Sequence, residues 1–452
     1  MELPQEFKAQ VVDVLRALVR IDTTNPPGNE IACARYLAEL LAPAGVELEI
    51  IESAPGRGNL IARLRGTGEE KPLLLLGHMD VVAADPAEWR YPPFAAEIHD
   101  GCIWGRGTTD MKQMIAVSAV IILALARLGR PLRRDVILAA TADEEHGGRW
   151  GVGWLVKERP ELFAVACALN EGGGGPLRVG ERVYYTCQCA EKGVCRTVWT
   201  AQAKGGHGSQ PRHDLATFRL ARAIAQLGDG HLQGRAVATM ELALRIIAAG
   251  QSPQAAERVE ALLEQGRIAD ALGAAGLDDE AIAHNRPLFY DTAAVTALRA
   301  GDPASINVIP PTALAYVDGR ILPGQTREGF LELLRRRAGE GVTIEVYEGQ
   351  YSPGLESSPE APIYRTIGRV IVERGGGAEV IPWMCSGSTD ARYLIPRGVP
   401  VFGFVPSKPH PEDGEPDGAH ANDERIRIED LLFALDILYD VVYRFCSGDE
   451  QT

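Results

Sequence analysis

Two histidines and a set of carboxylates occur in one order along this chain. They are Gly77-His78-Met79-Asp80, Gly105-Arg106-Gly107-Thr108-Thr109-Asp110-Met111-Lys112, Ala142-Asp143-Glu144-Glu145-His146, Asn170-Glu171 and, far downstream, Ala419-His420-Ala421-Asn422-Asp423-Glu424. Imidazole and carboxylate together are the ligand mixture a pair of zinc ions prefers. The doubled Glu144-Glu145 leaves one carboxylate over to carry a proton. Two such ions a few ångströms apart acidify a shared water, so the chemistry within reach is hydrolysis.

Taken singly, each motif has an ordinary structural explanation. A lone His after a strand is more often a core or capping residue than a ligand; as a ligand, His78 would have Asp80 as the acceptor that fixes its tautomer. Asp110 could equally cap the helix that follows its glycine-rich turn. Glu144-Glu145 could be a solvated strand end, and His420 a surface residue. Glu171 could be an acid ahead of the Gly172–Gly175 loop, which lacks the form of a phosphate-binding loop. Jointly these explanations fail, because a ligand-plus-base role accounts for every member.

The elements around the motifs place them. Leu73–Leu76, Asp135–Ala142 and Phe163–Leu169 are continuous apolar runs, the pattern of parallel strands buried on both faces. Each ends at a motif, where open α/β sheets place their ligands. Helices are expected at Val11–Val19, from Glu30 to about Pro43, at Lys112–Leu128 and at Trp150–Lys157. Ile21–Glu30 is a loop, since Pro26, Pro27 and Gly28 cannot continue a helix. Composition shifts near Glu191. Thr197–Ala203, Ala313–Asp318 and Val342–Val346 read as strands of a second, α+β domain, with helices at Ala216–Gln226 and Thr326–Arg337. The stretch 231–290 reads as a helical insertion. The expected organisation is a discontinuous catalytic domain, 1–190 and 351–452, around a domain at 191–350.

Bulk properties bound the rest. At 452 residues the chain is too long for one core. A net charge of −15 argues against nucleic acid or an anionic membrane as partner. The run Ala116–Ala126 is too short to span a bilayer, and the N-terminus lacks the apolar core of a signal peptide. The eight cysteines form no C-x-x-C pair and read as buried structural thiols of a cytoplasmic protein.

These motifs, in this order from Thr24-Asn25-Pro26-Pro27-Gly28 to His420, resemble metallopeptidase family twenty, which includes aminoacylase, glutamate carboxypeptidases and a Gly-X carboxypeptidase. The resemblance implies an α/β zinc-exopeptidase-like catalytic domain with a mostly parallel sheet and an inserted α+β lid and dimerisation domain. It implies two divalent ions, zinc before cobalt or manganese. Asp110 would bridge them, with His78 and Glu171 completing one site and Glu145 and His420 the other. Asp80 would orient His78, Glu144 would be the general base acting on a metal-bridging hydroxide, and the Asp110-Met111 peptide would be cis. His207, in Gly205-Gly206-His207-Gly208-Ser209, resembles the lid histidine that steadies the tetrahedral intermediate from a neighbouring subunit. Asn307, Arg320 and Gly387 match positions that bind substrate; a guanidinium suits a carboxylate.

Two departures stand out. Asn170 occupies a position where several relatives carry Asp, and the helical insertion at 231–290 resembles the larger carboxypeptidase-like members rather than the small deacylases. Within the matching loop Ser386-Gly387-Ser388-Thr389-Asp390, one of two glycines is replaced. The reading is a cytoplasmic homodimeric hydrolase of amide bonds, releasing a free amino acid from a small peptide or N-acyl amino acid. Its rival, a catalytically silent binding protein, predicts a lost base or ligand, and none is lost.

Overall fold

A computed structural model describes residues 3–410 and 418–448. The chain forms two compact units. One comprises Met1–Cys189, Ser357–Pro382 and Thr389–Thr452; the other comprises Ala190–Glu356 and Trp383–Ser388.

The first unit is built on a mixed sheet in which Glu47–Ala54, Arg57–Leu64, Arg134–Thr141, Glu70–His78, Cys167–Asn170 and Val401–Gly403 lie in that order. The last four are mutually parallel, and the flanking pairs are antiparallel. The apolar run in Glu70–His78 is continuous because both its faces are covered. Leu73 and Leu75 enter a core shared with the helices Gln5–Arg20, Lys112–Arg127 and Ile428–Ser447. Leu74 and Leu76 enter a second core with Val152, Leu155 and Leu394. That alternation is the two-residue period of a strand serving two hydrophobic layers. The helix Lys112–Arg127 is buried over nearly its whole surface. No helix among the described residues is long and apolar enough to cross a membrane.

The apolar run at 163–169 is mostly not strand. Pro160–Phe163 forms a short 3-10 helix, and pairing begins only at Cys167. Pro160 has no N–H for a ladder and starts the tight helix instead. The helix expected at Trp150 begins at Val152, after a turn through Gly151.

In the second unit, His231–Gly234, Tyr290–Ala300, Thr312–Ile321, Gly193–Gln202 and Val342–Ser352 form an antiparallel sheet in that order. The helices Ala216–Ala225 and Arg327–Ala338 contribute Leu220, Phe330 and Leu334 to the core against it. Thr312–Ile321 alternates buried and half-buried residues throughout, as a sheet packed on one face requires. The stretch 231–290 is not helical at its start. His231–Gly234 joins the sheet, and the helices Ala238–Gln251, Pro253–Glu264, Ile268–Ala274 and Asp279–Asn285 follow. The end of that stretch also feeds a strand, Tyr290–Ala300, whose inward positions Asp291 and Ala293 are polar or small and so give little apolar signal.

Candidate metal centre

Three of the ligand motifs end three adjacent parallel strands. His78 is the last residue of Glu70–His78, Glu171 follows Cys167–Asn170, and Glu144 and Glu145 follow Arg134–Thr141 by way of Asp143. Parallel packing therefore brings them to one edge of the sheet, at the carboxyl ends of its strands. Asp110 arrives on the turn before the helix Lys112–Arg127, and the peptide bond joining it to Met111 is cis. His420 arrives from the loop ahead of the final helix.

The ligand atoms of His78, Asp110 and Glu171 lie within 4.8 Å of one another, as do those of Asp110, Glu145 and His420. Asp110 belongs to both groups, and it divides its oxygens between them. Its Oδ1 lies 3.0 Å from His78 Nε2, and its Oδ2 lies 3.3 Å from His420 Nε2. His420 Nε2 is also 3.0 Å from Glu145 Oε2, and His78 Nε2 is 3.6 Å from Glu171 Oε2. The two groups differ in exposure: the His78 side chain is 1% accessible and that of His420 56%. The imidazole of one group is thus enclosed by protein, and that of the other opens to solvent.

Carboxylates and imidazoles set one another's protonation in both groups. Burial works against ionised Asp110, yet hydrogen bonds with His420 and His78 hold it well below the usual carboxylate range. Hydrogen bonds to Asp110 and then Glu145 push His420 up to about 10. Burial opposes a charged His78 as well, but Glu171, Asp110 and Asp80 outweigh it and hold its pKa well above the ordinary value. Burial drives Glu171 upward and His78 restrains it. A pair of divalent cations would supply the charge that the two imidazoles supply here, and the donor set suits them.

Asp80 orients more than His78. The Nδ1 of His78 lies 3.0 Å from the Asp80 carbonyl oxygen and 3.5 Å from its carboxylate. Either contact keeps the proton on Nδ1 and leaves Nε2 free to coordinate. The buried Asp80 carboxylate also accepts the backbone N–H of Glu144 at 3.0 Å and of Glu145 at 3.2 Å, and Asn25 Nδ2 at 2.8 Å.

The turn carrying Glu144 and Glu145 begins at Asp143, a non-glycine residue with φ of 71°. That conformation costs roughly 1–2 kcal/mol, and the Asp143 side chain is firmly held. Its Oδ1 accepts Arg57 at 2.7 Å and Asn25 at 3.0 Å, and its Oδ2 accepts the Trp150 N–H at 3.0 Å. Arg57 also pairs with buried Glu30 at 2.9 Å. Glu144 itself is met by Arg392, whose Nη2 lies 2.9 Å from Oε1. Burial pushes the Glu144 carboxyl well above the usual range; Glu171 and Asp390 add to that and Arg392 opposes it. Asp390 is pushed up to about 6, again by burial first. Asn25, Arg57 and Arg392 were not singled out from sequence. Arg392 follows the Ser388-Thr389-Asp390 loop by two positions, and that proximity was the available signal.

The candidate substrate contacts lie in the second unit. The short strand Gly206–His207 pairs with Val308–Ile309, and the Gly208 N–H donates to the Asn307 carbonyl at 2.6 Å, so His207 and Asn307 are neighbours. His207 is exposed, with Nδ1 2.7 Å from Ser209 Oγ. Arg320 is already paired with Asp318 at 2.8 Å. The Gly387 N–H donates to Cys385 Sγ at 3.2 Å.

Residues 74–444 match the model of peptidase family M20/M25/M40. The chain is 28% identical to aminoacylase-1 of Sus scrofa, over 96% of this chain and 95% of that protein. It is 26% identical to an N-fatty-acyl-amino acid synthase/hydrolase of Xenopus tropicalis, over 95% of this chain and 84% of the relative. Among solved structures, an M20 family metallo-carboxypeptidase from Sulfolobus solfataricus superposes with a TM-score of 0.70 at 20% identity, covering 96% of this chain and 98% of the other.

Proposed function

This chain belongs to peptidase family M20/M25/M40, and from that membership we propose how its residues divide the work of hydrolysis. The protein is a metal-dependent amide hydrolase acting on small molecules. Its preferred substrate class is the N-acyl amino acid, a reading supported by the names of two relatives that match nearly the whole chain.

Two divalent ions would be held by His78, Asp110 and Glu171 in an inner site and by Asp110, Glu145 and His420 in an outer one, with Asp110 common to both sets. The observation that carries this is the division of the two Asp110 oxygens between the two histidines. Zinc is the expected metal, with cobalt and manganese accepted by the same donors. When bound, the ions would polarise the scissile carbonyl and acidify a water. Glu144 takes the proton from the attacking water and delivers it to the leaving amine nitrogen. Arg392 occupies its Oε1, so the other oxygen, Oε2, is the proton carrier. The Asp80 contacts to the backbone of Glu144 and Glu145 hold base and ligand on one turn. His207 and Asn307 act as donors to the developing oxyanion, and Arg320 and the Gly387 N–H receive the substrate carboxylate.

The working form is a homodimer. Ile306, 92% exposed, and Val308 and Leu298 are large apolar side chains on the unit that carries His207, and such surface favours a protein partner. A cytoplasmic setting is supported by the eight cysteines, none of which forms a disulfide among the described residues.

The test is hydrolysis of a panel of N-acyl amino acids and dipeptides by metal-free protein reloaded with zinc, cobalt or manganese. Metal-dependent release of a free amino acid, fastest from the N-acyl substrates, is expected. Two bound ions without turnover of any member would sink the catalytic assignment, and faster dipeptide cleavage would sink the substrate class.

A further inference from the structure

Glu424 lies four residues beyond His420 and is fully buried. Its carboxylate is the centre of the turn that presents Asp110. Oε1 accepts the Thr109 N–H at 2.7 Å, the Thr109 hydroxyl at 2.9 Å, the Gly107 N–H at 3.1 Å and the Asp110 N–H at 3.3 Å. Oε2 accepts Arg106 Nη1 at 2.7 Å and shares the Gly107 N–H at 3.1 Å. The Glu424 backbone carbonyl accepts the Gly105 N–H at 2.9 Å. The turn from Gly105 to Asp110 is therefore wrapped around one acidic side chain that belongs to the His420 segment.

Burying a carboxylate is expensive unless it is paired and hydrogen-bonded, and here both conditions are met by a single turn. Asp110 and Glu424 are 314 residues apart in sequence. Nothing local relates the Asp110 carboxylate to the His420 imidazole, and the Glu424 side chain ties their two segments directly. The preceding residue ties the His420 segment to a third stretch of chain, since Asp423 Oδ1 accepts the Arg90 N–H at 2.7 Å.

We infer that Glu424 is a positioning residue: it sets the distance between Asp110 and His420 and thereby the affinity of the outer metal site. The inference rests on the proposed ligand roles of Asp110, Glu145 and His420. In Glu424→Gln one oxygen becomes an NH₂ group, a donor facing the donors of Arg106 or of the turn. Partners that orient metal ligands typically contribute 10–100-fold to metal affinity.

The test is a cobalt titration of the metal-free full chain, followed by visible absorption and calorimetry, with thermal melts of the same metal-free samples. The wild type should take two ions. Glu424→Gln should bind one of them at least ~10-fold more weakly. The double variant Arg106→Met/Glu424→Gln removes the stranded guanidinium. It should regain melting temperature without regaining the lost affinity, a split that a purely structural role cannot produce. If Glu424→Gln does not fold, the double variant carries the same comparison. Wild-type affinity for both ions in whichever variant folds overturns the inference, as does recovery of affinity together with melting temperature in the double. His420→Ala separates the two readings. If it keeps both ions at wild-type affinity, the ligand assignment fails. If it weakens one ion while the Glu424 variants do not, only the role of Glu424 fails.

Discussion

The Asp80 carboxylate accepts the backbone N–H of Glu144 at 3.0 Å. The residue whose neighbour is His78 thus also fixes the turn that carries the proposed base. Orientation of an imidazole and placement of a proton carrier share one buried anion.

Asp80→Asn puts an amide donor where Asn25 and two backbone N–H groups already donate. We expect metal affinity to fall ~10–100-fold and turnover to fall with it. Competition against a chelator, run beside steady-state kinetics, decides. A variant that loses turnover while holding both metals at wild-type affinity would show that Asp80 serves only the base.

Glu144→Gln should keep both metals and lose at least ~100-fold in kcat. Metal content measured on the same sample separates a lost base from a lost site. Activity within a few-fold of wild type would refute the assignment.

Gly403 sits against the strand end that bears Glu171. A Cβ there would lie 2.0 Å from the Glu171 carbonyl oxygen, a backbone atom that cannot swing aside. Gly403→Ala should cost about 1–3 kcal/mol of stability by overpacking. Displacing Glu171 by about 1 Å should also lower kcat on the order of 100-fold. Denaturant melts with kinetics test both; an unchanged kcat would mean the strand end yields without moving the carboxylate.

Lys192 reports on the second unit. Its ammonium is buried and donates to the carbonyls of Tyr290 at 2.8 Å and Pro287 at 3.0 Å. Burial lowers its pKa from 10.5 to about 8. Between those values the unfolded chain holds the proton and the folded chain does not, so this group makes stability rise as pH climbs from about 8 to 10.5. Below about 8 both states are protonated and the penalty is constant. Lys192→Met should remove that rise. Urea melts at several pH values compare the slopes, and parallel slopes in the two proteins would contradict the shift.

If His207 serves a partner's active site, chains carrying His207→Ala and chains carrying Glu144→Ala should complement when mixed and reassembled. Each mixed dimer would keep one intact pairing of base and lid histidine. Failure to recover any activity, with mixed dimers present by mass, would place His207 in its own chain's site.

The parts of the centre that were legible in sequence are those at the ends of strongly patterned elements. His78 and Glu145 follow apolar runs whose burial on two faces allows no polar residue until the strand stops. The residues that hold them were not legible, because each acts on a partner far along the chain. Asn25 reaches Asp80 and Asp143, Arg57 reaches Glu30 and Asp143, and Arg392 reaches Glu144. No periodicity announces such pairings. Secondary structure failed for a different reason at Phe163–Leu169, where apolar content outweighed Pro160. The strand Tyr290–Ala300 drew no reading from sequence, because it packs small and polar side chains inward. The cis peptide at Asp110-Met111, expected from the resemblance, is present.

The dependence of the Gly105–Asp110 turn on Glu424 also sets a timetable for biosynthesis. A ribosome delivers His78, Asp110, Glu145 and Glu171 long before it delivers residue 424. Until then the turn has no anion to wrap around, and its buried N–H groups have no acceptor. On the proposed ligand assignment, metal uptake would be tied to completion of the polypeptide, and a nascent or C-terminally clipped chain would have no finished centre with which to scavenge metal.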